Sequence, residues 1–437
     1  MPNCTIKNIS FSSIKRKKVA VNFKGGNVTS DAGALLLREI DKKLGFTESL
    51  SKIMSDDRDQ RYTDHPIRDV LAQRIYGLAL GYEDITDHDS LRKDICFQTA
   101  IGRDVELASA PTLSRFDNAA TRETAIIMSK HIIEQFINSY TKAPKELVLD
   151  FDPTDDKIHG NQENRHYHGY YKSHCFLPLY VFCEDQLLTS YLRPCNIDGA
   201  KHAWAILALL VKRFRQQWPG VKIIFRGDGG FCRDRILRWC DKNNVGYITG
   251  MAGNNRLLKA ATNLRQQAAE NFEATGEKQK LFSDFKYAAG SWKYERRIVV
   301  KAECSINGTN TRFIVTNLTG TAKELYEKVY CARGDMENRI KEQQLDLFAD
   351  RTSCTAWWAN QFRLLLSSCA YVLVSALRRS FLKGTELAKA QCGTIRLKLL
   401  KIGAVVIRNT RKVKFFLSSS YPYQDLFTKI AHKLYPE

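Results

Sequence analysis

The chain has 437 residues, of which 44% are hydrophobic, so it can bury a substantial core and has room for roughly two or three domains. Its 67 lysines and arginines outnumber its 47 aspartates and glutamates, which gives a formal charge of +20. This composition excludes a disordered chain, and the basic balance favours nucleic acid or an anionic membrane as a partner. No apolar run reaches the ~18–20 residues that a membrane span needs, so we expect no membrane partner.

The first part of the chain, 1–142, has the pattern of a mostly helical, basic module. Alternation in VAVNFK (19–24) predicts a strand. The stretch TSDAGALLLREIDKKLG (29–45) predicts a helix that opens on a Thr-Ser-Asp cap and ends at glycine. PTLSRF (111–116) is similar to the opening of a helix-turn-helix recognition helix, but an ordinary capped helix is the preferred interpretation.

Cysteine and histidine usage indicates no metal or disulfide framework. The 12 cysteines include no C-x-x-C pair, which favours free thiols in a reducing cytosol, and the N-terminus has no apolar signal segment. One group of histidines with a cysteine could suggest a zinc site, but its spacing matches no common zinc pattern. It consists of His159, His166, His168, His174 and Cys175.

The middle of the chain predicts a mixed α/β sheet. Strands and helices follow in the order strand 146–152, hairpin of 174–183 with 186–193, helix 200–218, strand 221–228, helix 233–243 and strand 245–251. This order resembles the ribonuclease-H-like fold, which places carboxylates at the ends of its first and fourth strands. In this chain those ends are Asp152 and Asp228.

The sequence after residue 254 predicts an interruption of this core. Strands that alternate around Asn307-Gly308 indicate an antiparallel β insertion, and helical patterns return at 322–347 and 355–383. The predicted domains are therefore a helical DNA-binding module, a catalytic core in two pieces, a β-rich insertion and a basic C-terminal region. Their boundaries are 1–142, 143–254 with 323–383, 255–322 and 384–437.

The stretch LVLDFDPTDD, residues 147–156, holds four aspartates at a strand exit. Because alternate residues of a strand share a face, Asp150 and Asp152 point to the same side. Asp150 lies one pleat deeper, where an unpaired charge is costly, so we predict Asp152 as the functional carboxylate and Asp150 as second choice or hydrogen-bonded neighbour. Asp155 and Asp156 follow the strand-ending proline and are predicted to be turn residues.

A polar stripe runs along the helix predicted after the insertion. It consists of Tyr330, Arg333, Glu337, Lys341 and Gln344, which a 3.6-residue repeat places on one face. One interpretation is a solvated helix side with a Glu337–Lys341 pair. The other is that Glu337 is the third carboxylate of an acidic site at the strand ends.

The pattern Y-x2-R-x3-E of Tyr330, Arg333 and Glu337 resembles the signature of DDE transposases in the insertion sequence 4-like group. The signature ends in a lysine, but that position is Gln344 here, and Lys341 is the candidate to replace it. Further similarity lies in D-P-T (152–154) and RGDGGF (226–231). SDAGALLLRE, GYEDITDHDSLRKD and RTSCTAWWANQFRLLLSSCAYVL look like the insertion sequence 1380 branch, so the resemblance covers nearly the whole chain.

The resemblance implies a DNA transposase that binds the terminal inverted repeats of an insertion sequence and catalyses Mg²⁺-dependent phosphodiester cleavage and strand transfer. Asp152, Asp228 and Glu337 would hold two Mg²⁺ ions, for which Mn²⁺ can substitute, because hard cations prefer carboxylate oxygens. Arg333 would grip a phosphate, and Tyr330 and Lys341 would contact the DNA backbone.

Trp292, within GSWKYERR of the insertion, has two interpretations. The resemblance implies that it stacks on a flipped base near the cut, whereas an amphipathic tryptophan also suits the core of a hairpin.

The implied partners are double-stranded DNA, as element ends and target, and a second copy of the chain in a synaptic homodimer. The implied location is the bacterial cytoplasm, at the nucleoid. Two alternatives stay open: a catalytically silent, domesticated DNA-binding protein, and a structure-specific nuclease of the same fold. The presence of all three acids favours an active enzyme.

Overall fold

A computed structural model describes residues 8–436. Contacts group 8–115 with 376–436 in one compact unit and 116–375 in a second, and each is described by itself. These boundaries differ from those of the four domains predicted from the sequence, and the four-domain division stays a prediction.

The first third of the chain is mainly helical. Its elements are β1 Ile9–Ile14, β2 Lys17–Val21, β3 Asn27–Thr29, α1 Ala34–Leu44, α2 Phe46–Ile53, α3 Ile67–Leu80, α4 His88–Leu91, α5 Ile95–Ile101, α6 Ala110–Asn118 and α7 Arg122–Asn138, with 3-10 turns at Gln60–Tyr62 and Ile85–Asp87.

The middle of the chain supplies most of the strands. Its elements are β4 Glu146–Pro153, β5 Asp156–Lys157, β6 His166–His168, β7 Ser173–Phe176, β8 Leu179–Cys183, β9 Gln186–Tyr191, α8 Ala203–Gln217, β10 Lys222–Gly227, a 3-10 turn Gly229–Phe231, α9 Asp234–Lys242, β11 Gly246–Met251, α10 Asn255–Ala260, α11 Thr262–Thr275, β12 Gln279–Tyr287, β13 Arg296–Ser305 and β14 Gly308–Thr316.

The last part begins with an irregular helix, 322–346, in which α12 Ala322–Glu324 and α13 Gly334–Lys341 are joined and followed by 3-10 and π turns at Leu325–Tyr330, Cys331–Arg333 and Glu342–Asp346. The remaining elements are α14 Trp357–Phe381, α15 Cys392–Ile395, a π turn Arg396–Leu400, β15 Ala404–Arg408, β16 Val413–Leu417 and α16 Gln424–Leu434. Strand β15 lies between β16 and β3 in a small sheet of the first unit.

The second unit is built on a mixed sheet of eight strands in the order β12, β13, β14, β11, β10, β4, β8, β9. Strands β4, β10 and β11 are mutually parallel, and the remaining neighbours are antiparallel. The prediction of a mixed α/β sheet is confirmed at this level. Strands β4 and β10 end side by side, since Gly227 is paired with Phe151 in their register.

The two faces of this sheet are covered by different helices. On one face Leu147, Leu149 and Phe151 of β4 join a large core with α8 and α9. On the other face Val148, Ile224 and Ile248 of β4, β10 and β11 pack against the start of the irregular helix, around Leu325 and Tyr326. Asp150 and Asp152 point to this second face by the alternation of the strand, which brings them under the irregular helix.

Two local predictions are wrong. The stretch 174–183 is not one strand, because β7 and β8 belong to different sheets and are separated at Pro178, which has no N–H to donate to a ladder. Helix α1 begins at Ala34 behind Gly33, without a side-chain cap. Asp31, part of the predicted cap, instead accepts a hydrogen bond from the Tyr82 hydroxyl at 2.6 Å.

The insertion 255–322 contains the antiparallel strands that its sequence predicts, β12 to β14, preceded by helices α10 and α11. The β13–β14 hairpin turns before Gly308, whose φ of 92° suits glycine. Because β14 also pairs with β11, these strands extend the central sheet.

Helix α14 is long and apolar enough to pass a length-and-composition test for a membrane span, and 83% of its most apolar window is buried inside the protein. Residues 8–436 hold no second helix of this kind. Burial of this extent is the property of a core helix, and the Tyr371 hydroxyl of α14 donates to the Asp185 carbonyl at 2.8 Å.

Candidate active site

Two aspartates meet at the carboxyl ends of neighbouring parallel strands. Asp152 and Asp228 each follow the last residue pair of the β4–β10 register, Phe151 and Gly227. Asp228 also caps the 3-10 turn after β10, since its Oδ1 accepts from the Gly230 N–H at 2.8 Å. Parallel pairing therefore brings together two carboxylates that lie 76 residues apart in the sequence.

The irregular helix supplies a third carboxylate and an arginine. Arg333 Nη2 donates to Glu337 Oε1 at 2.9 Å, and Arg333 Nη1 lies 3.4 Å from Asp152 Oδ2. The Glu337 side chain is half exposed, whereas those of Arg333 and Asp152 are largely covered. Glu337 thus forms an ion pair with Arg333, one turn earlier on the helix. Lys341 is exposed on the same helix.

The charges of this cluster act on Asp152. Burial raises the pKa of Asp152 from 3.8 to about 7; Arg333 opposes this shift, and the carboxylates of Asp228 and Glu337 add to it. Burial by itself would lower the pKa of Arg333, but Asp152 and the other nearby acids raise it overall. The site therefore concentrates negative charge in a partly desolvated place, with one guanidinium to offset it.

Tyr330 lies beside the same strand ends. Its ring is half-buried and tilted against Tyr326, with 5.7 Å between the ring centroids. A Cβ atom on Gly250 would lie 2.6 Å from the Tyr330 hydroxyl, so the glycine in β11 makes room for it. Burial raises the pKa of Tyr330, Arg333 lowers it and Asp228 raises it further, which agrees with a position close to the carboxylates.

Asp150 has a different environment from Asp152. It is buried, and both of its carboxylate oxygens accept from Arg226, with 2.6 Å between Arg226 Nη2 and Asp150 Oδ2. Arg226 also donates to the Val329 carbonyl, in the turn just before Tyr330. Asp150 is therefore a hydrogen-bonded neighbour that holds Arg226, the second of the two roles predicted for it.

The sequence analysis gives Arg226 no role of its own, although it opens the RGDGGF motif two residues before Asp228. The role of Arg226 depends on the register of β4 and β10, which pairs it with Asp150. An arginine within an otherwise apolar central strand was the available signal, because such a charge needs a partner.

The prediction that Asp156 is a turn residue is wrong. Asp156 is fully buried in β5, and Gln344 Nε2 donates to its Oδ1 at 2.9 Å. The same amide donates to the Asp155 carbonyl at 3.1 Å and lies 3.3 Å from Thr154 Oγ1. Gln344 therefore binds the exit of β4, at the position where the signature has a lysine.

Trp292 is partly buried against the main core of the second unit. Its ring is perpendicular to Tyr287, at 6.0 Å between centroids, and the Arg296 guanidinium lies 5.7 Å from it. These contacts are those expected of a hairpin-core tryptophan, and its role in stacking on a base stays a prediction.

Within the described residues the structure contains no ready-made group of three His, Cys, Asp or Glu side chains around a metal position. For the histidine cluster, Cys195 Sγ donates to the His166 carbonyl at 3.0 Å, and His166, His168, His174 and Cys175 belong to the small sheet of β5, β6 and β7. Of the three predicted metal-binding acids, Asp152 and Glu337 both contact Arg333.

The comparison with family models agrees with the sequence resemblance at the level of the family. The family model described as transposase DDE domain group 1 matches residues 11–436. A cryo-electron microscopy structure of a piggyBac transposase synaptic complex with hairpin DNA is 10% identical, with a TM-score of 0.41, over 85% of this chain and 80% of that chain. No curated protein sequence matches. By the extent of the family match, this chain belongs to the transposase DDE domain group 1 family.

Proposed function

We propose that the protein is a DNA transposase that binds the terminal inverted repeats of its own insertion sequence and catalyses Mg²⁺-dependent phosphodiester cleavage and strand transfer. The observation that carries the proposal has two parts: Asp152 and Asp228 follow the ends of neighbouring parallel strands, and Arg333 contacts both Asp152 and Glu337. These residues come from two strand ends and one helix, and structural packing alone gives no reason to gather three acids there.

The order β9, β8, β4, β10, β11, in which β8 alone runs opposite to the other four, supports the ribonuclease-H-like assignment. The insertion sequence 1380 branch rests on the sequence motifs.

The donor set suits a hard divalent cation. Carboxylate oxygens are what Mg²⁺ prefers. Burial first, and then the neighbouring carboxylates of Asp228 and Glu337, raise the pKa of Asp152, and a bound cation would offset the charge of these groups. Asp152, Asp228 and Glu337 would hold two Mg²⁺ ions, or Mn²⁺ in their place. When bound, such ions activate the attacking oxygen and stabilise the leaving oxygen of a phosphodiester.

The remaining side chains of the site would hold the DNA. Arg333 has five N–H donors, so it can grip a phosphate while it keeps its contact with Glu337. Tyr330 and the exposed Lys341 would position the backbone, and Trp292 would stack on a base. In this arrangement Arg333 would hold the Asp152 and Glu337 side chains in place and would also orient the DNA strand to be cut.

The β1–β2 hairpin is a basic feature outside the acidic site that also suits DNA binding. The β1–β2 hairpin is exposed and has four consecutive cations at its turn, Lys15 to Lys18. Residues 8–24 include no acidic side chain. Phosphate contacts from such a tip would supply sequence-independent affinity that falls with salt.

Synapsis of two ends calls for a homodimer on double-stranded DNA, as element ends and target, and the place of action would be the bacterial nucleoid. The test mixes purified protein with labelled element-end DNA in Mg²⁺ or EDTA. Wild type is compared with Asp228→Ala and Glu337→Gln, and Glu327→Gln is the matched control, because Glu327 is an exposed glutamate on the same irregular helix.

We expect metal-dependent cleavage by the wild type and the control, with loss in the two site variants. Joined products distinguish a transposase from a structure-specific nuclease. Binding without cleavage in Mg²⁺ or Mn²⁺ would instead identify a catalytically silent DNA-binding protein.

A further inference from the structure

Gln344 connects two elements that each carry an acid of the site. Its Nε2 donates to Asp156 Oδ1 and to the Asp155 carbonyl, at 2.9 Å and 3.1 Å. Asp152 lies just before this loop on β4, and Glu337 lies two turns before Gln344 on the irregular helix. One side-chain amide thus fastens the strand exit to the helix.

The acceptor of this bond is built into the interior. Asp156 is fully buried, and in the register of β5 and β7 it pairs with Phe176. Its Oδ2 has no hydrogen-bond partner within residues 8–436, and burial raises its pKa well above 3.8. Its Oδ1 accepts a hydrogen bond from the Gln344 amide. A hydrogen bond in such a desolvated place is electrostatically stronger than one in water.

The same contacts direct the Gln344 amide away from solvent. An amide has two N–H donors, and here Thr154 Oγ1, at 3.3 Å, is a third acceptor around them. The donors are therefore committed within the protein. A lysine at this position of the signature would have a charged head for a phosphate, whereas this glutamine has no donor left over.

We infer that Gln344 is a positioning residue, which sets the separation of Asp152 and Glu337 through the loop 154–156 and does not contact DNA. The inference rests on the proposed function, because it concerns the geometry of the same site. It assigns Asp156 a function as the buried anchor of that bond.

The test measures two quantities for each variant: the Kd for element-end DNA in EDTA, and the single-turnover cleavage rate at saturating DNA in Mg²⁺. Q344L removes the donor, D156L removes the acceptor, and Q344L with D156L removes both. D156N is the conservative variant, since it keeps an acceptor oxygen and no charge. L345A is the matched control, because Leu345 is the exposed neighbour in the same turn.

We expect Q344L and D156L to slow cleavage by ~10-fold or more, because small displacements of reacting groups have effects of this size. The Kd of each variant should stay within about twofold of the wild-type Kd, because a substitution that does not touch the DNA usually has only a small effect. The double variant should be no slower than the slower single variant, because both act through one bond. D156N and L345A should cleave nearly as the wild type does.

Three outcomes would overturn the inference while the wild type still cleaves. They are an unchanged rate in Q344L, a loss that appears mainly in the Kd, and additive losses in the double variant. Since D156L is the variant most at risk of misfolding, the comparison of Q344L with D156N decides the question without it. A wild type that never cleaves would overturn the proposed function and this inference together.

Discussion

Replacing Asp150 by asparagine tests the division of roles between the two aspartates of β4. Asp150 and Arg226 form a buried ion pair, with 3% and 9% of their side chains exposed. Asparagine keeps the shape and one acceptor oxygen but leaves the guanidinium without a counter-charge. Removal of one partner from a buried pair costs about 3–5 kcal/mol, and the retained acceptor puts this variant near the lower end, at about 3 kcal/mol.

Urea unfolding of the wild type and Asp150→Asn measures this loss. A variant with both Asp150→Leu and Arg226→Met removes the two charges together, so it should be less destabilised than Asp150→Asn. It should still fall about 1 kcal/mol below the wild type, because the Val329 carbonyl loses the donor that Arg226 supplies.

Cleavage assays on the same proteins then separate stability from chemistry. Per folded molecule, Asp150→Asn should retain more activity than Asp152→Asn, because Asp150 is committed to Arg226 and Asp152 faces the other acids. The reasoning is refuted if Asp150→Asn abolishes cleavage while its unfolding midpoint stays at that of the wild type. Asp150 would then be the ligand.

Three further predictions concern other parts of the chain. Burial lowers the pKa of His88 from 6.5 to about 3, so below pH 6.5 the unfolded state binds more protons and stability falls as the pH drops. Between pH 6.5 and 5 the loss should be about 2 kcal/mol in urea unfolding; His88→Asn should flatten it, and equal losses in both proteins would contradict the assignment. Gly250→Ala puts a Cβ 2.6 Å from the Tyr330 hydroxyl and should cost about 1–3 kcal/mol, with part recovered when Tyr330→Phe is added. A melting temperature of Gly250→Ala equal to that of the wild type would contradict this prediction, because the surrounding atoms would then have moved to accept the Cβ at no cost. Alanines at 15–18 remove four charges and should lower the slope of log Kd against log salt by up to about 4, whereas an unchanged slope would exclude the hairpin from phosphate contact.

Some features of this protein follow from local sequence. The alternation of β4, the apolar run of β10 and the turn signals between them predict the central strands, because burial of one strand face depends only on neighbouring residues. The same alternation correctly separated Leu147, Leu149 and Phe151, which lie in the core, from the aspartates on the other face. Helical spacing likewise predicted that Arg333 and Glu337 share one side of a helix, where they form an ion pair.

Other features depend on which distant segments meet. Arg226 neutralises Asp150 because β4 and β10 pair in one particular register, and no local pattern records the register of strands separated by 76 residues. Asp156 follows a proline and has the local pattern of a turn residue, yet packing buries it beneath Gln344, a residue 188 positions later. The sequence by itself thus determined the residue types of the acidic site and the elements that carry them. Only the tertiary structure decided which carboxylates are committed to partners, because burial and pairing are properties of the assembled sheet.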